Sequence, residues 1–187
     1  MRTFDDLNLG ASLRNAVDEA GFLHPTPIQL EAFSRIRSGK DIVGIAQTGT
    51  GKTIAYLLPL LKDFKFSKDN HAKIMIVVPT RELVLQVVEE AKLLSKYLTV
   101  RIKGVYGGTN INTQKYELLE GVDIVVGTPG RIMDLGLDGS IKMGGIKKLV
   151  IDEVDEMLNL GFRTQLKNLM DLLAVKRQNL MFSATLT

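Results

Sequence analysis

Eight residues, Ala46-Gln47-Thr48-Gly49-Thr50-Gly51-Lys52-Thr53, separate the apolar stretch Ile42-Val43-Gly44-Ile45 from a second one, Ile54-Ala55-Tyr56-Leu57-Leu58. The order reads as strand, loop, helix. Glycines at 49 and 51 let the backbone curl until several N–H groups point at one anion, and the following helix adds its positive end. Lys52 supplies a point charge for the β- and γ-phosphates of a nucleotide, and Thr53 offers a hydroxyl to Mg²⁺. The strict phosphate-loop pattern has Gly where Ala46 stands, and a glycine-rich loop can match by chance. The flanking strand and helix favour a nucleotide triphosphatase.

A second acidic element, Asp152-Glu153-Val154-Asp155, follows the apolar run Leu149-Val150-Ile151 about a hundred residues later. A carboxylate at the end of a buried parallel strand stands where open α/β sheets bind ligands. Beside a phosphate loop, Asp152 is placed to hold the water shell of Mg²⁺ and Glu153 to polarise an attacking water. Acids at a helix N-terminus also suit the macrodipole, so this motif alone leaves both readings open. A calcium loop is disfavoured: Val154 takes the second ligand position and Met157 the place of the obligatory Gly.

The 187 residues are 45% hydrophobic, enough chain for one filled core. Twenty-four basic against 21 acidic residues give +3, a mild excess compatible with a polyanionic partner. There is no cysteine, which removes disulfides, thiolate metal sites and thiol nucleophiles and suits a reducing cytoplasm. No apolar run reaches the roughly 18 residues of a membrane span, and Asp5 and Asp6 interrupt the start of the chain where a signal peptide builds its apolar region. A soluble cytoplasmic protein is the expectation.

Short β-branched runs alternate with amphipathic segments, so an α/β domain with a parallel sheet is predicted. Strands are expected at Ile42 to Ala46, Ile74 to Val78, Val100 to Val105, Asp123 to Val126, Lys148 to Ile151 and Leu180 to Phe182. The clearest helix follows Pro79 and Thr80, with Leu83, Val84, Val87, Ala91, Leu94 and Leu98 on one face. Thr26 and Pro27 open an earlier helix as N-cap and first helical residue. Thr80 and Thr128 each end an apolar run before a helix, where hydroxyl and backbone N–H groups can meet phosphate oxygens; each is also an ordinary helix cap. Gly107-Gly108 alone is a turn.

Taken in order, the motifs resemble those of the first RecA-like domain of a DEAD-box ATP-dependent RNA helicase, over the whole of residues 1–187. Gly21-Phe22-Leu23-His24-Pro25-Thr26-Pro27-Ile28-Gln29 is similar to the family's Q motif, which places a Q-motif segment at about residues 1–30. The resemblance implies a P-loop NTPase fold, a parallel sheet with helices on both faces, and ATP and Mg²⁺ as ligands. It implies that Gln29 bonds the adenine edge and Phe4 stacks on its face, while Thr48, Gly49, Thr50, Gly51, Lys52 and Thr53 hold the phosphates. Lys52, Asp152 and Glu153 are then catalytic, with Thr53 and Asp152 on the metal.

The same resemblance assigns Pro79, Thr80, Arg81, Gly107, Gly108, Thr128, Pro129, Gly130 and Arg131 to the sugar-phosphate backbone of RNA. Asp155, Ser183 and Thr185 would couple hydrolysis to strand separation. Val154 stands where the family's motif has Ala, which puts local packing in question. The second RecA-like domain and its arginine finger are expected elsewhere in a longer parent. DNA-acting helicases share the phosphate loop without a need for Gln29, and a non-hydrolysing ATP and RNA binding module would not need Glu153. A dinucleotide oxidoreductase is excluded, because Ile54 stands where the third fingerprint Gly belongs.

Overall fold

The computed structural model describes residues 3–185. Six parallel strands form one sheet: β1 (Ile42–Ile45), β2 (Ile74–Val77), β3 (Ile102–Val105), β4 (Ile124–Gly127), β5 (Lys148–Ile151) and β6 (Gln178–Ser183), in the order β1-β6-β5-β2-β4-β3. Among the described residues, eight α-helices surround it: α1 (Ala11–Glu19), α2 (Pro27–Arg37), α3 (Lys52–Lys62), α4 (Arg81–Leu94), α5 (Ile111–Leu119), α6 (Pro129–Leu137), α7 (Val154–Asn159) and α8 (Arg163–Leu172). None is long and apolar enough to cross a membrane, among the described residues.

Which face each helix covers follows from chirality. From β1 to β2 to β3 the chain moves one way across the sheet, and from β3 through β4 and β5 to β6 it moves back. Right-handed crossovers then put α3 and α4 on one face and the later helices on the other. The buried side chains divide accordingly. Ile74, Ile76, Val126, Val150 and Leu180 meet α1 to α4 in one core, while Met75, Val77, Val125, Leu149 and Ile151 meet α5 to α8 in a second. The alternation along each strand is the period-2 pleat. This is the RecA-like α/β architecture expected from the motifs, with helices on both faces.

Several boundaries differ from the sequence expectation. Strand β6 begins at Gln178 rather than Leu180, where the Gln178 side-chain Nε2 donates to the carbonyls of Ile36 (2.8 Å) and Lys40 (2.7 Å) and anchors the strand's start. Asn179 likewise pairs with Asp41. Polar residues thus enter the sheet where backbone carbonyls and a carboxylate meet their N–H groups, although the buried Gln178 Oε1 has no partner among the described residues. Strand β3 starts at Ile102; just before it the Arg101 carbonyl still accepts from the Asp123 N–H (2.8 Å), but the Arg101 N–H turns to the Asp123 carboxylate (2.8 Å). Strand β1 is apolar yet lies at the sheet edge, leaving Val43 67% and Ile45 40% exposed. Gly44 is required there, as a Cβ would stand 2.7 Å from the Phe182 ring.

Candidate functional site

The phosphate-loop, acidic and groove motifs gather at the carboxyl ends of the strands, the edge where open parallel sheets bind ligands. The phosphate loop runs from β1 into α3, with Gly49 at φ +81° and Gly51 at φ +83°, conformations that L side chains rarely adopt. Thr50 donates its hydroxyl to the Gln47 carbonyl (2.6 Å) and closes the turn. The N–H of Ala46 donates to the Ser183 carbonyl (3.0 Å), so the loop is stitched at its start to the end of β6. Helix α3 begins at Lys52 itself and is capped by Gly51.

Lys52 is buried, and its Nζ lies 3.1 Å from Glu153 Oε1, close enough for an ion pair but outside hydrogen-bond angles. The one lysine of the glycine-rich loop and the second acid of the Asp-Glu-Val-Asp motif are thus brought together. Glu153 sits at φ +53°, ψ +48°, an αL conformation uncommon for a residue with a side chain. Its N–H donates to Asp152 Oδ1 at 2.9 Å. Burial, then the Glu153 charge, pushes the Asp152 carboxyl up to about 6, against partial relief from that N–H, Lys52 and the Tyr56 hydroxyl. The Tyr56 hydroxyl itself is fully buried, does not reach hydrogen-bond geometry with any described residue, and is driven upward chiefly by burial.

A cavity of about 360 Å³ opens above these groups, bordered by Thr48, Lys52, Thr53, Asp152 and Glu153 and closed on one side by Phe22. Lys52 is its one cationic side chain among the described residues. The donor set fits Mg²⁺, which takes one or two carboxylates and retains waters and substrate phosphates. No cluster of three or more His, Cys, Asp or Glu exists among the described residues that would suit an all-protein cage.

The two residues assigned to adenine stand in different surroundings. Phe4 is 1% exposed, inside the first core beneath the N-terminal helices, so its ring offers no face to a base in this structure. The aromatic at the cavity is Phe22, which sequence reasoning passed over although it stands inside the quoted Q-motif segment. Gln29 is placed beside the loop but is already engaged: its Oε1 accepts from the Thr26 N–H (3.0 Å) and its Nε2 donates to the Gly51 carbonyl (3.3 Å). It retains one N–H and one lone pair.

A second groove, about 430 Å³, lies farther along the same edge and is lined by Pro79, Arg81, Gly107, Thr128, Gly130 and Arg131, with Asp134 and Phe162. Thr80 Oγ1 accepts from the Leu83 N–H at 3.3 Å, so this hydroxyl serves as the cap of α4. Thr128 caps α6 without a side-chain bond, ahead of Pro129 as first helical residue. Gly108 needs its freedom, at φ +78°. Arg81 lies over the Tyr106 ring at 4.9 Å, and Arg131 donates to Gln114 Oε1 (2.8 Å) and to the Thr109 carbonyl (2.9 Å).

Behind both sites, Asp155 Oδ2 accepts from the Thr185 N–H (3.2 Å) and hydroxyl (3.1 Å). Burial raises the Asp155 carboxyl, but the Thr185 and Ser183 hydroxyls outweigh it and hold the group below the usual carboxylate range. Ser183 Oγ and Asp155 Oδ1 are both buried and without a hydrogen-bond partner among the described residues. Val154 packs its methyl groups against the second core, so the extra volume is housed.

The profile of DEAD/DEAH box helicases matches residues 26–187. Relatives described as DEAD-box ATP-dependent RNA helicase CshA are 43% identical over 186 residues in Bacillus cereus, covering all of this chain, and 40% identical over 183 residues in Streptococcus pneumoniae, covering 98%. The ATP-dependent RNA helicase CshA of Listeria monocytogenes is 41% identical over 186 residues. The chain spans about a third of the length of these relatives, 35% or 36% in each. On the motif order, the parallel sheet and this match, the chain belongs to the DEAD/DEAH box helicase family.

Proposed function

We propose that this domain binds ATP with Mg²⁺ and that the whole protein couples ATP hydrolysis to the remodelling of RNA. The observation that carries the reading is the Lys52–Glu153 contact beside buried Asp152, at the mouth of a glycine-rich loop. An incoming triphosphate competes for Lys52 Nζ and releases the Glu153 carboxylate, which then stands free to take a proton from the attacking water. Thr53 and Asp152 are the residues that would hold Mg²⁺, which supplies charge neutralisation at the phosphate oxygens. Phe22 offers its ring to the base, and Gln29 turns its remaining N–H and lone pair to the adenine edge.

The second groove takes the sugar-phosphate backbone of RNA, through the N-termini of α4 and α6 and the charges of Arg81 and Arg131. Such contacts carry no base identity, so affinity should depend on salt and little on sequence. Asp155, Ser183 and Thr185 connect the two sites, because β6 ends between the phosphate loop and α7. A second RecA-like domain of the same protein would close onto the bound ATP, and the cysteine-free composition suits a cytoplasmic location.

Two substitutions test the chemistry. Lys52→Ala should remove RNA-stimulated ATPase in the full-length protein and weaken ATP binding. Glu153→Gln keeps the shape and loses the base, so ATP should still bind while hydrolysis falls by about 10² or more. Turnover of the lysine variant within about twofold of the parent would sink the assignment of the loop, given the size of such electrostatic contributions.

A further inference from the structure

Helix α5 buries only two residues, Gln114 and Leu118, and the first is an amide. Gln114 is 5% exposed, and every hydrogen-bonding direction it needs is met. Its Nε2 donates to the Tyr106 carbonyl (3.1 Å) and to Thr109 Oγ1 (2.9 Å), and its Oε1 accepts from Arg131 (2.8 Å). Tyr106 and Thr109 flank Gly107-Gly108, so one side chain ties both ends of the glycine pair. Without those bonds only the longer bond from the Thr109 hydroxyl to the Tyr106 carbonyl (3.3 Å) spans the pair, which then has more conformational entropy to lose on binding.

The partner of Arg131 also matters for charge. A carboxylate would neutralise the guanidinium, whereas an amide oxygen orients it and leaves its charge intact. Two of the five guanidinium N–H donors go to Gln114 and the Thr109 carbonyl, leaving three for a phosphate. The Tyr106 ring, whose backbone Gln114 holds, carries Arg81 on its face. One buried amide therefore sits between both cationic side chains of the groove.

We propose that Gln114 is a positioning residue for RNA: it fixes the Gly107-Gly108 loop and presents a pre-oriented, un-neutralised Arg131 to the RNA backbone. The inference rests on the reading of this groove as the RNA site. Its test uses the full-length protein, a labelled single-stranded oligoribonucleotide at several salt concentrations with a non-hydrolysable ATP analogue, and separate titrations of nucleotide and of thermal unfolding. Gln114→Met should weaken RNA about tenfold, the scale of one lost charge-assisted contact. Gln114→Glu should weaken it at least as much and lower the slope of log affinity against log salt by about 0.7, one phosphate contact on a single strand.

Arg131→Gln combined with Gln114→Glu should lose less than the sum of the two single losses, because the part that Gln114 contributes through Arg131 is lost once, while nucleotide affinity moves less than about twofold, since the groove and the phosphate cavity share no side chain. Independent, additive losses would overturn the inference, as would normal RNA affinity in both Gln114 variants while Arg131→Gln loses it. If Arg131→Gln itself leaves affinity and salt slope unchanged, the groove is not the RNA site and both readings fail. Should the Gln114 variants unfold, Thr109→Val removes the hydroxyl's bonds to both Gln114 and the Tyr106 carbonyl while leaving Arg131 paired, and unaltered RNA affinity there overturns the proposal.

Discussion

Asp152 carries an electrostatic cost that its position makes measurable. Its folded carboxyl titrates at about 6 against 3.8 for the free group, chiefly because of burial. A raised folded value means that the protonated acid is preferred in the folded chain, so the stability it contributes is full below about pH 4 and is lost as pH rises through about 6. Asp152→Asn should therefore raise the stability of the nucleotide-free chain at pH 8 by on the order of 2 kcal/mol, with the gain shrinking towards pH 5. Thermal unfolding across that range checks it. A stability difference independent of pH would show that Asp152 is not held in this environment. Lys52, Asp152 and Glu153 were legible in the sequence because loop chemistry and strand ends set them locally. The burial of Phe4 and the place of Phe22 at the cavity were not, since which of two aromatics the core takes in depends on how α1 packs, and Gln114 gave no signal beyond a polar residue four before Leu118.

At the level of elements, the parallel α/β order could be read from alternating apolar runs, but strand ends could not, because side-chain networks decide them. The clearest case joins β3 and β4. Asp123 is buried and accepts from the Arg101 backbone N–H (2.8 Å), Nε (3.0 Å) and a terminal nitrogen (2.8 Å). The same guanidinium holds the loop before β2 through Asn70 Oδ1 (2.7 Å) and the Asp69 carbonyl (2.7 Å). This latch lies at the amino ends of the strands, opposite the ligand edge. Arg101→Leu leaves a buried carboxylate unpaired and should cost about 3 kcal/mol in chemical denaturation. Nucleotide affinity of the folded fraction should be unchanged. A loss below about 1 kcal/mol, the range of surface ion pairs, would mean that the pair is screened and the loop is held by packing.

Across the whole molecule, the two grooves share one edge of one sheet, and β6 ties them: Ala46 bonds to Ser183 on one side and Asp155 to Thr185 on the other. The architecture places binding groups well but supplies few charges for the transition state. Lys52 is the one cation at the phosphate cavity among the described residues, and it starts paired with Glu153. In phosphoryl-transfer enzymes an arginine finger contributes roughly 10³ to 10⁵ in kcat. The 187-residue chain by itself should accordingly bind adenine nucleotides weakly and hydrolyse ATP slowly or below detection, with no duplex unwinding. Its RNA affinity should be low as well, since one short groove with two arginines neutralises few phosphates. Adding a separately produced second RecA-like domain at high concentration should restore some turnover, because linkage of two sites acts mainly through effective concentration. RNA-stimulated hydrolysis by the isolated chain at about 1 s⁻¹, within ordinary enzyme turnover, would place all the needed charge in this domain and refute the division of labour.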